Sequence, residues 1–259
     1  MLWILFFLNV STGNYMKKKL SLSQIIRSLI FGIIFPTYTM LYSFICLLVS
    51  PLPLRYRHRT VMFYTNSVIW LLKVICHVNY RIEGLENIPR DKPGIIMSKH
   101  QSAWETFYLP GHFNQTAIIL KRELAWVPFF GWGLWVTDPI VINRSDRSNA
   151  MSQVIRQGKK YLAAGRWILV FPEGTRIPTG QVGHYRIGGA RLSVETGYPI
   201  LPVAHNAGRY WARKQFMKYP GTIHLVFGPI IEPQGRTPEE VLQLTKDWIE
   251  NTMKTIDND

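Results

Sequence analysis

Beyond residue 79, short apolar runs alternate with segments that have the spacing of amphipathic helices. The helical segments cover residues 103–112, 148–164 and 188–196. Alternation of this kind is typical of α/β domains, in which helices connect and cover the strands of one sheet. We therefore predict an α/β fold with a mixed, mostly parallel sheet flanked by helices. The apolar runs expected to be its strands are residues 94–97, 116–120, 139–142, 167–171, 200–204 and 222–227.

The clearest helix signal lies near the C-terminus. Thr237 is followed by Pro238 and, three positions after Thr237, by Glu240. This pattern predicts an N-cap, a proline at the first helical position and the glutamate of a capping box. The side chains expected to form the apolar face of this helix are Val241, Leu244, Trp248 and Ile249.

The N-terminal third is apolar enough to contact a membrane. Residues 28–50 form a run of 23 residues without a charge, which is long enough to cross a bilayer. A second apolar stretch at residues 61–78 is interrupted only by Asn66 and Lys73. We predict a membrane-associated helical region over residues 1–78, preceding an α/β domain over residues 79–259.

Basic residues flank the first apolar run on both sides, with residues 17–19 before it and Arg55, Arg57 and Arg59 after it. A helical hairpin dipping into one leaflet keeps both clusters at the anionic headgroups, whereas a single span separates them. The pattern favours the hairpin and leaves the single span open. Met16 is as good a candidate for the natural start as Met1, because three lysines directly follow it.

Thirty Lys and Arg stand against sixteen Asp and Glu, so the net charge is +14. Such a surface suits an anionic partner, which could be nucleic acid, lipid or a phosphorylated substrate. A membrane-anchored nucleic-acid-binding protein predicts a recognisable binding module, and the sequence contains none. The aromatic content of 13% and the apolar N-terminal region favour a membrane instead. Cys46 and Cys76 lie in apolar stretches and are predicted to be packed, reduced thiols.

A histidine and a glutamate five positions apart follow the first predicted strand. His100 would lie at or beyond a strand's carboxyl end, where open α/β sheets place their binding sites. A carboxylate in reach of an imidazole fixes its tautomer and stabilises the imidazolium, so His100 and Glu105 are candidates for a general base and its support. No metal-ligand spacing is present. The histidines without a comparable carboxylate, predicted to be structural or surface residues, are His58, His77, His112, His184, His205 and His224.

Three basic residues follow other predicted strands, namely Lys121, Arg144 and Arg176. Because strand ends meet at the edge of a sheet, these side chains are candidates for holding a phosphate, the arginines bidentately. Gly174 permits a tight turn whose backbone amides also face an anion.

These segments together resemble the glycerophospholipid acyltransferase family, in particular its bacterial members that act on lysophosphatidate. The hexapeptide FPEGTR is the most specific part, and the resemblance covers roughly residues 80–227. Two departures are Glu105, where the family usually has aspartate, and Asn143, where aspartate usually precedes the arginine. The matching segments are residues 100–105, the segment ending at Arg144, residues 171–176, residues 199–202, and KREL at residues 121–124 with Pro128 and Gly131.

The resemblance implies a reaction. His100 is expected to deprotonate the free sn-2 hydroxyl of 1-acyl-sn-glycerol-3-phosphate, with Glu105 orienting it, so that acyl transfer gives phosphatidic acid. Acyl-CoA or acyl-carrier protein is expected as co-substrate, without a cofactor or a metal. The alternative is a family member that acts on another lyso-lipid or on glycerol-3-phosphate.

The resemblance also implies a binding site and a location. The expected partners are lysophosphatidate, the thioester donor and anionic membrane lipids, and not nucleic acid. The expected location is the inner membrane of the cell, with the catalytic domain on the cytoplasmic side. The residues implied in binding the substrate phosphate are Lys121, Arg144, Glu173, Gly174, Thr175 and Arg176, of which Glu173 and Gly174 shape the loop.

Overall fold

The computed structural model describes residues 21–113, 115–143 and 146–257. Arg144, the lysines at positions 17–19 and both candidate starts therefore lie outside the described residues. The described part begins with two long helices, α1 (Leu22–Val49) and α2 (Leu54–Cys76). Ser21 caps α1 in a capping box with Gln24, which the sequence analysis did not predict.

The two helices form a hairpin joined by residues 50–53. The Tyr42 hydroxyl donates to the Thr60 carbonyl oxygen at 2.8 Å, and the hydroxyls of Thr39 and Tyr64 lie 2.6 Å apart. The second helix begins before the predicted apolar stretch, so that the three arginines lie within its first two turns. Among the described residues, α1 alone is long and apolar enough to cross a membrane by length and composition.

A single sheet of seven strands follows in the described part of the chain, in the spatial order β1-β7-β6-β2-β5-β3-β4. All neighbouring strands are parallel except β6 and β7, which are antiparallel. The predicted mixed, mostly parallel sheet is therefore confirmed. The strands are β1 (Val78–Glu83), β2 (Ile95–Ser98), β3 (Ala117–Lys121), β4 (Ile140–Ile142), β5 (Ile168–Val170), β6 (Ile200–His205) and β7 (Gly221–Phe227).

The helices after the first strand cover the sheet or complete its edge. The last of them has the predicted capping box between Thr237 and Glu240. Val241 and Ile249 are buried as predicted, but Leu244 is 45% exposed, so its assignment to the buried face was wrong. These helices are α3 (Trp104–Tyr108), α4 (Arg122–Ala125), α5 (Phe130–Val136), α6 (Arg147–Ala163), α7 (Gly188–Thr196) and α8 (Pro238–Ile256).

Three elements differ from the prediction. β1 was not predicted, because its sequence VNYRIE has no apolar run and it is a strand through pairing with β7. The helix predicted at residues 103–112 ends at Tyr108 and continues as a 3-10 turn that contains Pro110, which lacks the backbone N–H of a regular helix. The short helices α4 and α5 were missed as well.

Apolar side chains on the two faces of the sheet form separate cores, since neighbouring residues of a strand point to opposite faces. Ile96 lies in the core shared with α1 and α2, whereas Ile95 and Met97 lie in the core beneath α6 and α7. Edge-to-face contact between Phe31 and Trp211, with ring centroids 5.4 Å apart, helps hold α1 on the first face. The predicted domain boundary after residue 78 stays a prediction.

The topology also gathers the strand ends. Because β2, β5 and β3 are parallel neighbours, their carboxyl ends lie at one edge of the sheet. Lys121 is the last residue of β3, and the segments that contain His100 and Arg176 follow β2 and β5, so the three residues lie at the same edge.

Candidate active site

His100 lies two residues beyond β2, and Glu105 lies in the first turn of α3. The His100 Nδ1–H donates to Glu105 Oε1 over 2.9 Å. The His100 ring also stacks on Phe171, with centroids 4.0 Å apart and planes 19° from parallel. The structure thus brings the two predicted catalytic residues into contact and fixes the plane of the imidazole.

Glu105 is fully buried, and three donors hold its Oε1. Besides the His100 ring, the backbone N–H groups of Gln101 and Ser102 donate to it over 3.0 and 2.8 Å. The chain turns back between residues 100 and 105, which explains how a carboxylate five positions away reaches the imidazole. Glu105 Oε2 has no hydrogen-bond partner among the described residues and lies 3.9 Å from His205 Nε2.

The electrostatics favour a neutral imidazole beside an ionised carboxylate. Burial lowers the pKa of His100 below its usual 6.5, and the hydrogen bond that the ring donates to Glu105 restores only part of that change. Burial raises the pKa of Glu105, but His205, the hydrogen bond from His100 and the Arg176 guanidinium outweigh it and bring that pKa below its usual 4.5. With Nδ1 donating to Glu105, the Nε2 of His100 is left as an acceptor, as a general base requires.

A cavity of about 680 Å³ opens beside His100. Lys121, Gly174 and Arg176 line it together with His100, so the structure brings these predicted residues to one cavity. Its other walls are largely apolar and include Leu120 of β3 and Tyr42 of α1. The lining of the cavity therefore combines basic and titratable side chains with apolar ones from the sheet and the helical hairpin.

Among the described residues predicted to bind phosphate, Arg176 is the one whose charge shifts the pKa of His100 and Glu105. Within the described part of the chain its guanidinium forms no hydrogen bond, and it influences the pKa of both His100 and Glu105. Arg213 adds a second positive charge, donating to Thr175 Oγ1 at 2.9 Å and to the Arg176 carbonyl oxygen at 3.3 Å. Gly174 adopts φ +66°, the left-handed region that its predicted tight turn requires.

Glu173 contributes to the shape of this loop through internal hydrogen bonds. Its Oε2 accepts the His100 backbone N–H over 2.9 Å, and its Oε1 accepts the Lys99 ammonium over 2.7 Å. The backbone N–H of Gly183 also donates to Oε1 over 3.3 Å, so three internal donors hold this carboxylate. Its predicted role in shaping the loop agrees with this geometry.

Sequence reasoning missed Lys99, His205 and Arg213. His205 is completely buried at the end of β6, donates from Nε2 to the Lys99 carbonyl oxygen over 2.8 Å and lies close to Glu105. His224 likewise lies 3.0 Å from Glu83. No spacing along the chain indicated these neighbours, because Glu105 and Glu83 are distant in sequence from His205 and His224. Lys99 could have been noticed in the sequence, because it is a charged residue between an apolar strand and His100.

Comparison with known proteins shows the family of this chain. A family model described as Acyltransferase matches residues 79–206. A 1-acyl-sn-glycerol-3-phosphate acyltransferase from Pseudomonas aeruginosa is 43% identical over 242 residues, which is 92% of this chain and 94% of that relative. The chain belongs to the 1-acyl-sn-glycerol-3-phosphate acyltransferase family. The predicted family and the O-acyltransferase class are thereby confirmed.

A more distant relative and a solved structure also match this chain. The human 1-acyl-sn-glycerol-3-phosphate acyltransferase alpha is 26% identical over 190 residues, 71% of this chain and 66% of the human protein. The crystal structure of the 1-acyl-sn-glycerophosphate acyltransferase PlsC from Thermotoga maritima has a TM-score of 0.76 and 24% identity, covering 90% of this chain and 96% of that one. That likeness confirms the fold.

Proposed function

We propose that this acyltransferase transfers a fatty acyl group from a thioester to the free sn-2 hydroxyl of 1-acyl-sn-glycerol-3-phosphate, giving phosphatidic acid. The observation that carries the proposal is the His100–Glu105 pair beside a cavity whose lining combines basic and apolar side chains. A lysophosphatidate has the same two-part chemistry, because a phosphate adjoins an acyl chain.

In the proposed mechanism, His100 Nε2 takes the proton of the sn-2 hydroxyl as the oxygen attacks the thioester carbonyl carbon. Glu105 holds the imidazole in the required tautomer and stabilises the imidazolium. The tetrahedral adduct then collapses with cleavage of the C–S bond, and the imidazolium returns its proton to the departing sulfur. The thioester is already activated, so the proposed reaction uses it as a co-substrate and requires no cofactor or metal.

The acceptor's phosphate is proposed to bind to Arg176 and Lys121, which line the cavity. Arg144 is proposed as a further ligand from its position in the sequence. Gly174 and Thr175 contribute the turn that presents Arg176, and Arg213 supports that turn through Thr175. An arginine fork suits phosphate oxygens because its donors match their geometry bidentately.

The proposed donor is acyl-CoA or acyl-carrier protein. Both are anionic, so the net charge of +14 favours the approach of either. The chemistry at His100 is the same for both, because each delivers the acyl group as a thioester.

The proposed location is the inner membrane, with the catalytic domain on the cytoplasmic side and anionic lipids beneath it. The outward face of α1 exposes large apolar side chains, of which Leu48 is 78% exposed. The segment from α4 to α5 packs on α1 through Phe44 and Phe129, with ring centroids 6.1 Å apart, and exposes Trp126 and Trp135. Trp is favoured at membrane interfaces, where one part of its ring is apolar and another polar.

The proposal is tested by assaying purified protein with labelled acyl-CoA and acyl-carrier protein against lysophosphatidate, glycerol-3-phosphate and lyso-glycerophospholipids. His100→Ala serves as the base-free variant, with a melting curve to check its fold. We expect lysophosphatidate to be preferred and the variant to lose about 10² to 10⁴ in rate. Preference for another acceptor would reassign the substrate, and wild-type turnover by the folded variant would remove His100 from the mechanism.

A further inference from the structure

We propose that Glu250 of the C-terminal helix α8 is a positioning residue for the catalytic base, acting through Lys99 and Glu173. The role rests on the proposed function, because it concerns His100 as the base. Glu250 lies outside the region matched by the family model, which ends at residue 206. The residue does not contact the reacting atoms and acts only through its neighbours.

The network is centred on a buried ammonium group. Lys99 is 1% exposed, and its Nζ donates to Glu173 Oε1 over 2.7 Å, to Glu250 Oε1 over 2.8 Å and to the Gln181 carbonyl oxygen over 3.2 Å. All three ammonium protons therefore have acceptors. Tyr185 donates its hydroxyl proton to Glu250 Oε1 over 2.7 Å, which fixes that carboxylate in turn.

The other end of the network reaches the catalytic histidine. Glu173 Oε2 accepts the His100 backbone N–H over 2.9 Å, so one carboxylate connects the Lys99 ammonium to the main chain of the base. The Lys99 main chain is held independently, because its N–H donates to the Val203 carbonyl oxygen and its own carbonyl accepts from His205. Residues 99 and 100 are thus held by contacts from three parts of the chain, namely the loop that contains Glu173, the helix α8 and the strand β6.

Glu250 matters as an acceptor, because its Oε1 takes one of the three Lys99 ammonium protons and the Tyr185 hydroxyl proton. Burial and the nearby Glu250 carboxylate raise the pKa of Glu173, and the Lys99 ammonium opposes them. Lys99 in turn needs acceptors, since an unpaired buried ammonium is strongly unfavourable. Removing Glu250 leaves the Lys99 ammonium with only Glu173 and the Gln181 carbonyl oxygen as acceptors, and it removes the hydrogen bond that ties Tyr185 to α8. The expected consequence is a displaced His100, and misplacement of reacting groups by about 1 Å costs on the order of 10²-fold in rate.

The experiment compares Glu250→Ala and Glu250→Gln with Asp247→Ala. Asp247 is a matched control because it is a carboxylate on the same helix that accepts a hydrogen bond from the exposed Gln243 side chain. Each full-length protein is assayed at a fixed interval below its own melting temperature, and backbone amide hydrogen exchange is measured for the peptide containing residues 97–102. We expect Glu250→Ala to lower kcat by about 10²-fold with little change in the KM for lysophosphatidate.

Hydrogen exchange at the His100 amide should accelerate in Glu250→Ala and not in Asp247→Ala. Glu250→Gln keeps an oxygen acceptor for Lys99 and Tyr185, so it should retain more activity than the alanine variant. Unchanged exchange in Glu250→Ala would overturn the network, and normal kcat with accelerated exchange would overturn the positioning role. The positioning role would also be overturned if Glu250→Ala had the wild-type kcat when both proteins are assayed at the same interval below their melting temperatures. Inactive wild-type protein would instead contradict the proposed function, while the exchange comparison still tests the network.

Discussion

Glu105 is one methylene longer than the aspartate usual at this place in the family, and the structure accommodates the extra length. The side chain is buried, and its Oε1 accepts from the His100 ring and from two backbone N–H groups of the same turn. The Glu105 side chain therefore contacts both the imidazole and the backbone of the turn that carries it. A substitution here changes both the chemistry and the local backbone.

Changing Glu105 to Gln should reduce kcat by about 10³-fold or more, because an amide cannot stabilise the imidazolium and favours the wrong tautomer. Glu105→Asp should retain much more activity, since it keeps the charge. Turnover and melting temperature of both variants are the measurements. Near-normal turnover in the Gln variant would leave His100 in need of another partner.

Arg176→Lys should mainly raise the KM for lysophosphatidate, because a point charge replaces a bidentate fork. Loss of one charge-assisted hydrogen bond corresponds to roughly 10- to 100-fold. The KM for the thioester should change less. Arg191→Lys is the matched control, since Arg191 is an exposed arginine on α7 paired with Glu195. An effect confined to the thioester KM would move the phosphate site elsewhere.

At the scale of elements, the helical hairpin determines how the chain meets a membrane. Single cysteines placed near Lys19 and at position 55 should both be labelled only from the cytoplasmic side, because a one-leaflet hairpin keeps both basic clusters at the same surface. The native Cys46 and Cys76 are free but buried, which agrees with their prediction as packed thiols and limits background labelling. Labelling of one site from the opposite side would demonstrate a spanning helix.

The segment from α4 to α5 is expected to touch the lipid surface as well. A fluorescent probe on Leu124→Cys should be quenched by lipid-attached quenchers in anionic vesicles, because this residue is 43% exposed on the segment that packs on α1. Leu244 on α8 is the control, because it is 45% exposed and lies away from this segment. A probe on Leu244→Cys should remain unquenched. A probe on Leu48→Cys reports membrane binding of α1 itself, so quenching there without quenching at 124 would limit the contact to the hairpin.

At the scale of the whole molecule, buried histidines link stability to pH. Burial lowers the pKa of His100, His112 and His205 below the usual 6.5. The unfolded chain therefore takes up protons at a higher pH than the folded chain. The stability contributed by these neutral rings is fully present above pH 6.5 and is lost as the pH falls below it.

The melting temperature should consequently fall when the pH is lowered from about 7 to 5, since each buried histidine adds a proton uptake on unfolding. Glu105, whose pKa is lowered in the folded chain, adds a loss in the same direction at more acidic pH. Melting curves at several pH values and two salt concentrations are the measurement. The decline should persist at high salt, because buried charges are screened little. A constant or rising melting temperature would contradict this account.

The sequence by itself determined the class of fold and the chemistry-bearing residues. Local signals were sufficient for the six apolar strands and for the cap at Thr237, because apolar runs and capping patterns depend on near neighbours. The pairing of His100 with Glu105 was also predictable, since one turn of chain brings the two together. The roles assigned to these side chains stay predictions that the experiments above address.

Only the tertiary structure decided the partners that are remote in sequence. The strand β1 exists through pairing with residues more than a hundred positions away, and its own sequence gave no apolar run. Lys99 contacts Glu250 because α8 packs against the sheet, and His205 lies beside Glu105 because β6 is the neighbour of β2. Pattern and spacing report what a residue's neighbours along the chain allow. Long-range contacts depend on how the whole chain closes, which no local pattern encodes.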